Sequence, residues 1–521
     1  MSSSVDAALP ETAPATTGWR PALHYTARDT WLNDPNGLVY FGGQYHLFYQ
    51  NNPFGNVWGN MSWGHATSRD LLHWTEHPVA IACDEREDIF SGSVVVDHGN
   101  TSGFGTAGSP ALVAIYTSAF KAGSEHAGTQ AQSLAFSTDG GMTWNKYAGN
   151  PVLTRNSAHF RDPKVFRYEG DTGTYWVMAA VEAQHQTVVL YRSEDLKAWD
   201  YLSDFGPANA DAGEWECPDL FPLAVDDDPE NTKWVLIVNV NPGAVAGGSG
   251  GQYFVGHFDG VRFVPDAASL AAPAGVSALD DAAPAALRRC LWLDWGRDCY
   301  ASVSFSNAPD GRRIIIGWMN NWDYANQLPT APWRSSMTLA RELRLTAEGD
   351  SARLVQQPVL DGSSGHPGAN NILRSGPFEL EGTAFRLPDA VSDSAQVIEA
   401  DILPGNAEQV SFHLLESEDG CAGTVLTYTP RSAELTLDRR QSGNTGFHAK
   451  FPSAEAAPLI LADGVLKLRI VVDHCSVEVF AQDGTVVLTD LVFPLPGQTG
   501  NRLTATRGPA SVRSLTVTAL R

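Results

Sequence analysis

Along roughly the first 345 residues, apolar positions come in short runs, with no long helical period. Runs at 38–41, 45–49, 111–117, 132–137, 174–180, 187–192, 234–240, 253–258 and 313–318 are dominated by branched and aromatic side chains. Such residues suit a pleated, half-buried surface. Gly42-Gly43 separates the first two runs and reads as a hairpin turn. Residues 267–287 are Ala-rich and can hold a helical turn, although Pro and Gly interrupt them.

A loose repeat overlies this pattern. Ser68-Arg69-Asp70-Leu71-Leu72-His73-Trp74 resembles Ser193-Glu194-Asp195-Leu196-Lys197-Ala198-Trp199. Ser137-Thr138-Asp139-Gly140-Gly141-Met142-Thr143-Trp144 is a third version, and Phe258-Asp259-Gly260-Val261-Arg262-Phe263 a degenerate fourth. Each joins a strand to an Asp turn and then to an aromatic that opens the next strand. The aromatics at 74, 144, 199 and 263 set a period of roughly 60 residues, enough for several strands per unit. The fold class is therefore all-β, and the period divides this region into the five blades of a β-propeller.

The texture changes after Leu343. Residues 362–371 are rich in Gly, Ser, Pro and Asn. Alternating strands then follow at 396–402, 410–415, 424–429, 433–438, 466–472, 476–480 and 486–491, the spacing of a β-sandwich. The expected organisation is a disordered tail over 1–19, a propeller over 20–346, a linker over 347–371 and a sandwich over 372–521.

Composition narrows the function. A hydrophobic share of 43% with only 18% charged residues marks a globular chain. The net charge of -24 opposes binding to nucleic acid or to anionic membranes, so the expected partner is a neutral small or polymeric molecule. No stretch of 18 apolar residues exists to span a membrane. The Ser-, Ala-, Pro- and Thr-rich residues 1–17 lack the apolar run of a signal peptide, as if an export signal had been replaced by a start codon. The six cysteines show no metal-type spacing and are expected as free thiols; only Cys290 and Cys299 are close enough in sequence to raise a bridge.

Three acidic motifs carry the chemistry. They are Trp31-Leu32-Asn33-Asp34-Pro35-Asn36-Gly37, Phe160-Arg161-Asp162-Pro163-Lys164-Val165 and Trp215-Glu216-Cys217-Pro218-Asp219-Leu220-Phe221. Each acid reads as standing just before a strand. Spacings of 128 and 54 residues put them in different repeat units, and propeller units converge at one end of a central channel. Glycosidic cleavage needs one acid to protonate the leaving oxygen and a second carboxylate to meet the oxocarbenium-like carbon. Asn33 beside Asp34 and Arg161 beside Asp162 fit ionised roles, and Glu216 between Trp215 and Cys217 fits the acid of raised pKa. One Asp-Pro alone would be an ordinary turn, and Asp219 reads as a turn or supporting residue.

Together these motifs, with Phe90-Ser91-Gly92-Ser93 and Trp58-Gly59-Asn60-Met61-Ser62-Trp63-Gly64-His65, resemble glycoside hydrolase family 32. That family includes invertases, inulinases and levanases, and the resemblance covers nearly the whole chain. It implies a five-bladed propeller followed by a β-sandwich. By position it implies Asp34 as nucleophile, Glu216 as general acid/base, and Asp162 holding fructose hydroxyls with help from Arg161. Asn33, Gln50, Trp58, Phe90 and Ser91 would line the pocket, with Trp318 closing one wall. No metal or cofactor is implied. The substrate would be a fructan polysaccharide or oligosaccharide, met outside the cell, and the appended sandwich leaves room for a homodimer.

The subtype expected from overall resemblance is levan fructotransferase, in which a hydroxyl of the second fructose attacks the fructosyl-enzyme and closes a difructose dianhydride. The alternative is an exo-hydrolase of levan or inulin, with water as the attacker. Outside this class stand a non-catalytic fructan-binding protein, disfavoured because all three acids are present, and a sialidase-like or arabinan-cleaving propeller. A sialidase needs an arginine cluster and a Tyr nucleophile, and neither pattern is clear here.

Overall fold

The computed structural model describes residues 17–106, 108–171, 173–270, 283–349, 351–360, 370–390 and 394–520. Five antiparallel blades form the propeller: the first and third are four-stranded, the second is five-stranded, and the fourth and fifth join through one parallel bridge into a nine-stranded sheet. Their inner strands are Trp31–Phe41, Glu87–Asp97, Phe160–Gly170, Glu214–Val225 and Tyr300–Ser304. Each inner strand contacts the next, and the fifth returns to the first. Backbone bonds close the ring, with Tyr40 N donating to Ser306 O at 3.0 Å and Ser306 N to Leu38 O at 2.8 Å.

The repeated Asp turns lie between the third and fourth strands of the first four blades. In each, the carboxylate accepts backbone N–H groups across the turn: Leu72 and His73 for Asp70, Met142 and Thr143 for Asp139, Lys197 and Ala198 for Asp195, Val261 and Arg262 for Asp259. The indoles of Trp74, Trp144 and Trp199 each donate back to a turn carbonyl. The periodic motif is thus one hydrogen-bonded corner used four times.

The expected domain limits move. Strand Ser351–Pro358 pairs with Arg341–Glu348 as the outer edge of the fifth blade, so the propeller runs beyond residue 346. The sandwich begins by 370, where Asn370–Ser375 pairs with Ala510–Leu520; residues 361–369 lie outside the described residues. Residues 17–19, expected in the tail, form a turn whose Trp19 is buried and donates its indole N–H to Pro494 O at 2.7 Å. Residues 1–16 lie outside the described residues. The Ala-rich segment holds a short turn at Ala267–Ser269 and one helix at Ala283–Leu287, with 271–282 outside the description. All six cysteines are free thiols, so Cys290 and Cys299 form no bridge.

A seven-stranded and a six-stranded sheet make the sandwich, and it docks on the propeller through buried ions. Arg341 of the fifth blade reaches Asp294 at 2.9 Å and Glu478 of the sandwich at 2.6 Å. His24 lies between Asp473 and Glu478, at 2.7 Å from each. Arg439 of the sandwich pairs with Asp298 and donates to Tyr324 Oη at 2.8 Å. Burial alone would push the His24 pKa down, but the two carboxylates overcome it and raise the value to about 9.

This raised value sets a pH dependence. A histidine whose folded pKa exceeds its unfolded value contributes fully below about 6.5 and loses that contribution as pH rises through about 9. Thermal unfolding should therefore show stability declining between pH 6.5 and 9, by up to about 3 kcal/mol from this group. His24→Gln should be less stable at pH 6 and should flatten that decline; an unchanged slope would show that His24 is not its source.

Candidate active site

Every inner strand slips register at the same end of the propeller. The slips fall between Leu32 and Pro35, Phe90 and Gly92, Arg161 and Lys164, Glu216 and Asp219, and Tyr300 and Val303. The acids therefore stand inside strands, at bulges, and not ahead of them. A bulge frees a residue from the ladder and re-aims its side chain. This accounts for Pro35, Pro163 and Pro218, since proline is tolerated in a strand where no ladder N–H is needed. Gly92 serves the same end in the second blade: a Cβ there would lie 2.1 Å from Ile115 O. Asp162, Cys217 and Ala301 adopt φ of 63°, 45° and 53°. Such backbone costs on the order of 1–3 kcal/mol per residue and collects at functional sites.

The bulges turn three carboxylates toward one another. Asp34 accepts from Ser91 Oγ at 2.7 Å and Asn33 Nδ2 at 3.0 Å, and Asn33 is fixed by the Trp31 indole at 2.7 Å. Asp162 accepts the Cys217 backbone N–H at 3.0 Å. The Cys217 thiol lies 3.6 Å from Asp34 and 3.7 Å from Asp162, joining the three motifs. Glu216 Oε1 accepts from Arg161 Nε at 3.1 Å and Nη2 at 2.8 Å, and Oε2 accepts from the Tyr300 hydroxyl. Arg161 also donates to Glu214.

Arg161 thus serves Glu216 and Glu214 more closely than Asp162, whose carboxylate is 3.9 Å from its Nε. Arg161 still favours ionised Asp162, as the sequence reading has it, but across a longer gap than separates it from the two glutamates. Burial raises the Asp162 pKa; Arg161 opposes that, and the negative charges of Glu216 and Asp34 add to it, leaving it at about 7. Asp34 is also raised, by burial and then by Glu216, against the donors Ser91 and Asn33. Both aspartates are thus pushed upward, each by burial first.

The acids stand in a cavity of about 460 Å³. Asn33, Gln50, Trp58, Phe90, Ser91 and Arg161 line it with them. Trp318 does not. It is fully buried behind Trp322, their ring centroids 4.8 Å apart, and Trp322 forms the wall instead. Sequence reasoning missed Trp322, Gln130, His159, Glu214 and Asn241, which complete the lining, and Tyr300 beneath Glu216. Glu214 had a visible signal, since it stands two residues before Glu216 and shares its strand face. Two residues along from Asp162, the buried Lys164 ties the third blade to its neighbours, its Nζ reaching Ser304 O at 2.5 Å and Asp219 at 3.0 Å.

The model for the glycosyl hydrolases family 32 N-terminal domain matches residues 24–358, and that for the family 32 C-terminal domain matches residues 369–519. This chain belongs to glycosyl hydrolase family 32. A levanase of Bacillus subtilis (strain 168) is 45% identical over 96% of this chain and 70% of its own length. An extracellular exo-inulinase of Aspergillus ficuum is 38% identical, covering 94% of this chain and 92% of its own. The crystal structure of exo-inulinase from Aspergillus awamori superimposes with a TM-score of 0.85 at 35% identity, over 98% of this chain and 99% of the other. The family 32 N-terminal match ends at Pro358, with the outer strand of the fifth blade.

The raised Asp162 gives this family 32 site a stability cost with a defined sign. A carboxyl whose folded pKa exceeds its unfolded value destabilises the fold increasingly as pH rises from about 4 to 7, and constantly above that. Asp162→Asn should gain stability relative to the parent over that window, by a few kcal/mol at most. Denaturant titrations at pH 4 and pH 7 check this. An equal difference at both values would place the Asp162 pKa in the ordinary range.

Proposed function

We propose that this chain is a retaining exo-hydrolase that removes fructose from the end of a β-2,6-linked levan. In the first step Asp34 attacks the anomeric carbon of the terminal fructosyl unit. The glycosidic C–O bond breaks, and Glu216 gives its proton to the departing oxygen. In the second step Glu216 takes a proton from water, whose oxygen displaces Asp34 and releases fructose. Asn33 and Ser91 hold Asp34 for attack, and Asp162 meets sugar hydroxyls. With its pKa near 7, Asp162 is protonated in mildly acid solution and can then both donate to and accept from them. Trp58, Phe90 and Trp322 supply apolar faces to the ring.

One observation carries the exo reading. The acids stand in a pocket of about 460 Å³ walled by Trp58, Phe90 and Trp322, a shape that suits the end of a chain. The relatives support water as the attacker, because those compared are named levanase and exo-inulinase. They favour the hydrolytic alternative over the intramolecular transfer expected from sequence. Levan is preferred over inulin on the 45% identity to the Bacillus levanase. The Aspergillus relatives are named extracellular, and we place this chain outside the cell as well.

Incubation with levan and with inulin, followed by chromatography and mass spectrometry, tests this. Free fructose should form from the earliest times, faster from levan. A non-reducing dimer lighter than difructose by one water would establish transfer instead. Asp34→Asn and Glu216→Gln should stay folded and lose at least about a thousandfold in turnover of levan. Near-normal turnover in either would move the nucleophile or the acid elsewhere.

A further inference from the structure

Among the described residues, the hydrogen bonds to the Glu216 carboxylate all come from donors on two side chains. Arg161 gives it two N–H groups and Tyr300 gives it a hydroxyl. Donors of this kind favour the ionised carboxylate, whereas a general acid must carry a proton to the leaving oxygen. Asp34 and Asp162 oppose ionisation of Glu216 through their charges, but burial pushes the pKa of each upward. The site calls for a further anion, held charged by its own donors.

Glu214 meets that requirement. Its side chain leaves the same strand face as Glu216, two residues away. One oxygen accepts from Gln184 Nε2 at 2.9 Å, which turns the other toward Arg161 Nη2, the same nitrogen that serves Glu216. Burial opposes its ionisation, but Gln184 and Arg161 outweigh it and hold the Glu214 pKa below the usual range. His159 Nδ1 lies 4.0 Å from the Gln184-bound oxygen and adds a second cation when protonated.

We propose that Glu214 is a positioning residue that divides the charge of Arg161 and so lets Glu216 keep its proton at the pH of catalysis. This rests on Glu216 being the general acid. The charged and titratable groups facing Glu216 are Asp34 from the first blade, Arg161 and Asp162 from the third, Glu214 and Cys217 from its own strand, and Tyr300 from the fifth. Glu214 is the carboxylate among them that binds Arg161 without standing at the centre of the acid cluster.

The test is the pH dependence of kcat and KM on levan for the parent, Glu214→Gln and Glu214→Asp. In Glu214→Gln the guanidinium acts on Glu216 alone, so the basic limb of kcat should move to lower pH by about 0.5–1 unit. KM should change by less than about twofold. Glu214→Asp should restore most of the parent profile. An unmoved basic limb in Glu214→Gln would overturn the proposal, as would a uniform loss at all pH values with a raised KM, which would make Glu214 a substrate contact. Glu216→Gln, run alongside, separates the two assignments. If it is inactive while the limb of Glu214→Gln is unmoved, only the role of Glu214 fails. If it keeps the parent's activity, the acid itself is misassigned.

Discussion

Bringing five strand ends to one axis places their inward side chains in contact, and here those side chains include like charges. Asp34, Asp162 and Glu216 come from the first, third and fourth blades, with Glu214 at the rim. Arg161 is the one guanidinium in the lining, and it bonds two of the four carboxylates. Much of the local structure answers this crowding. The bulges aim the acids inward, Ser91 and Asn33 steady Asp34, and the Cys217 backbone N–H steadies Asp162. What remains uncompensated appears as raised pKa values on both aspartates. An active site built from opposed carboxylates needs such an imbalance, because its members must differ in protonation to act as acid and nucleophile.

The sandwich contributes to this site although it supplies none of the acids. Trp322, the pocket wall, sits in a segment pinned from below. Asp323 pairs with Arg297 at 2.7 Å and with Lys450 of the sandwich at 2.6 Å. Tyr324 donates to Asp298 at 2.5 Å, and Arg439 of the sandwich bonds both. Lys450 is largely exposed, but Arg439 and Asp298 are fully buried; such a buried pair seldom adds much net stability over well-packed apolar groups, yet breaking it leaves a costly unpaired charge. The effect of these contacts here is to admit one docking geometry of the two domains, and with it one position for Trp322.

The fold was legible because its repeated corner has a local cause. Ser68-x-Asp70, Ser137-x-Asp139 and Ser193-x-Asp195 each make their own turn, so the period survives in sequence. The catalytic end was legible where chemistry and backbone coincide: Asp34-Pro35 and Asp162-Pro163 pair an acid with a residue that only a bulge admits in a strand. Domain limits were less clear, since the outer strand Ser351–Pro358 carries no aromatic corner. Trp318 and Trp322 could not be told apart by type. Alternation within the strand buries the first, and the second lies past its end at Met319. Glu214 and Glu216 were not legible as partners of Arg161, because they reach it from the next blade and no local spacing links them.

The choice between water and a sugar hydroxyl as second attacker lies on a different layer of the molecule. The acid motifs sit on inner strands, and on the proposed reading they meet the first fructosyl unit, which hydrolysis and transfer would hold alike. The attacker is selected where the second unit would rest, at the rim. There the lining comes from loops and outer positions: Trp58 is 45% exposed, Trp322 follows the strand end, and Phe54 nearby in the chain is 78% exposed. Intramolecular transfer requires that rim to hold the second sugar in one orientation and keep water out. Hydrolysis requires only that the leaving chain depart and water enter. The inner-strand motifs are therefore common to both outcomes, and a reading based on them reaches the family and the fructosyl-enzyme but not the acceptor.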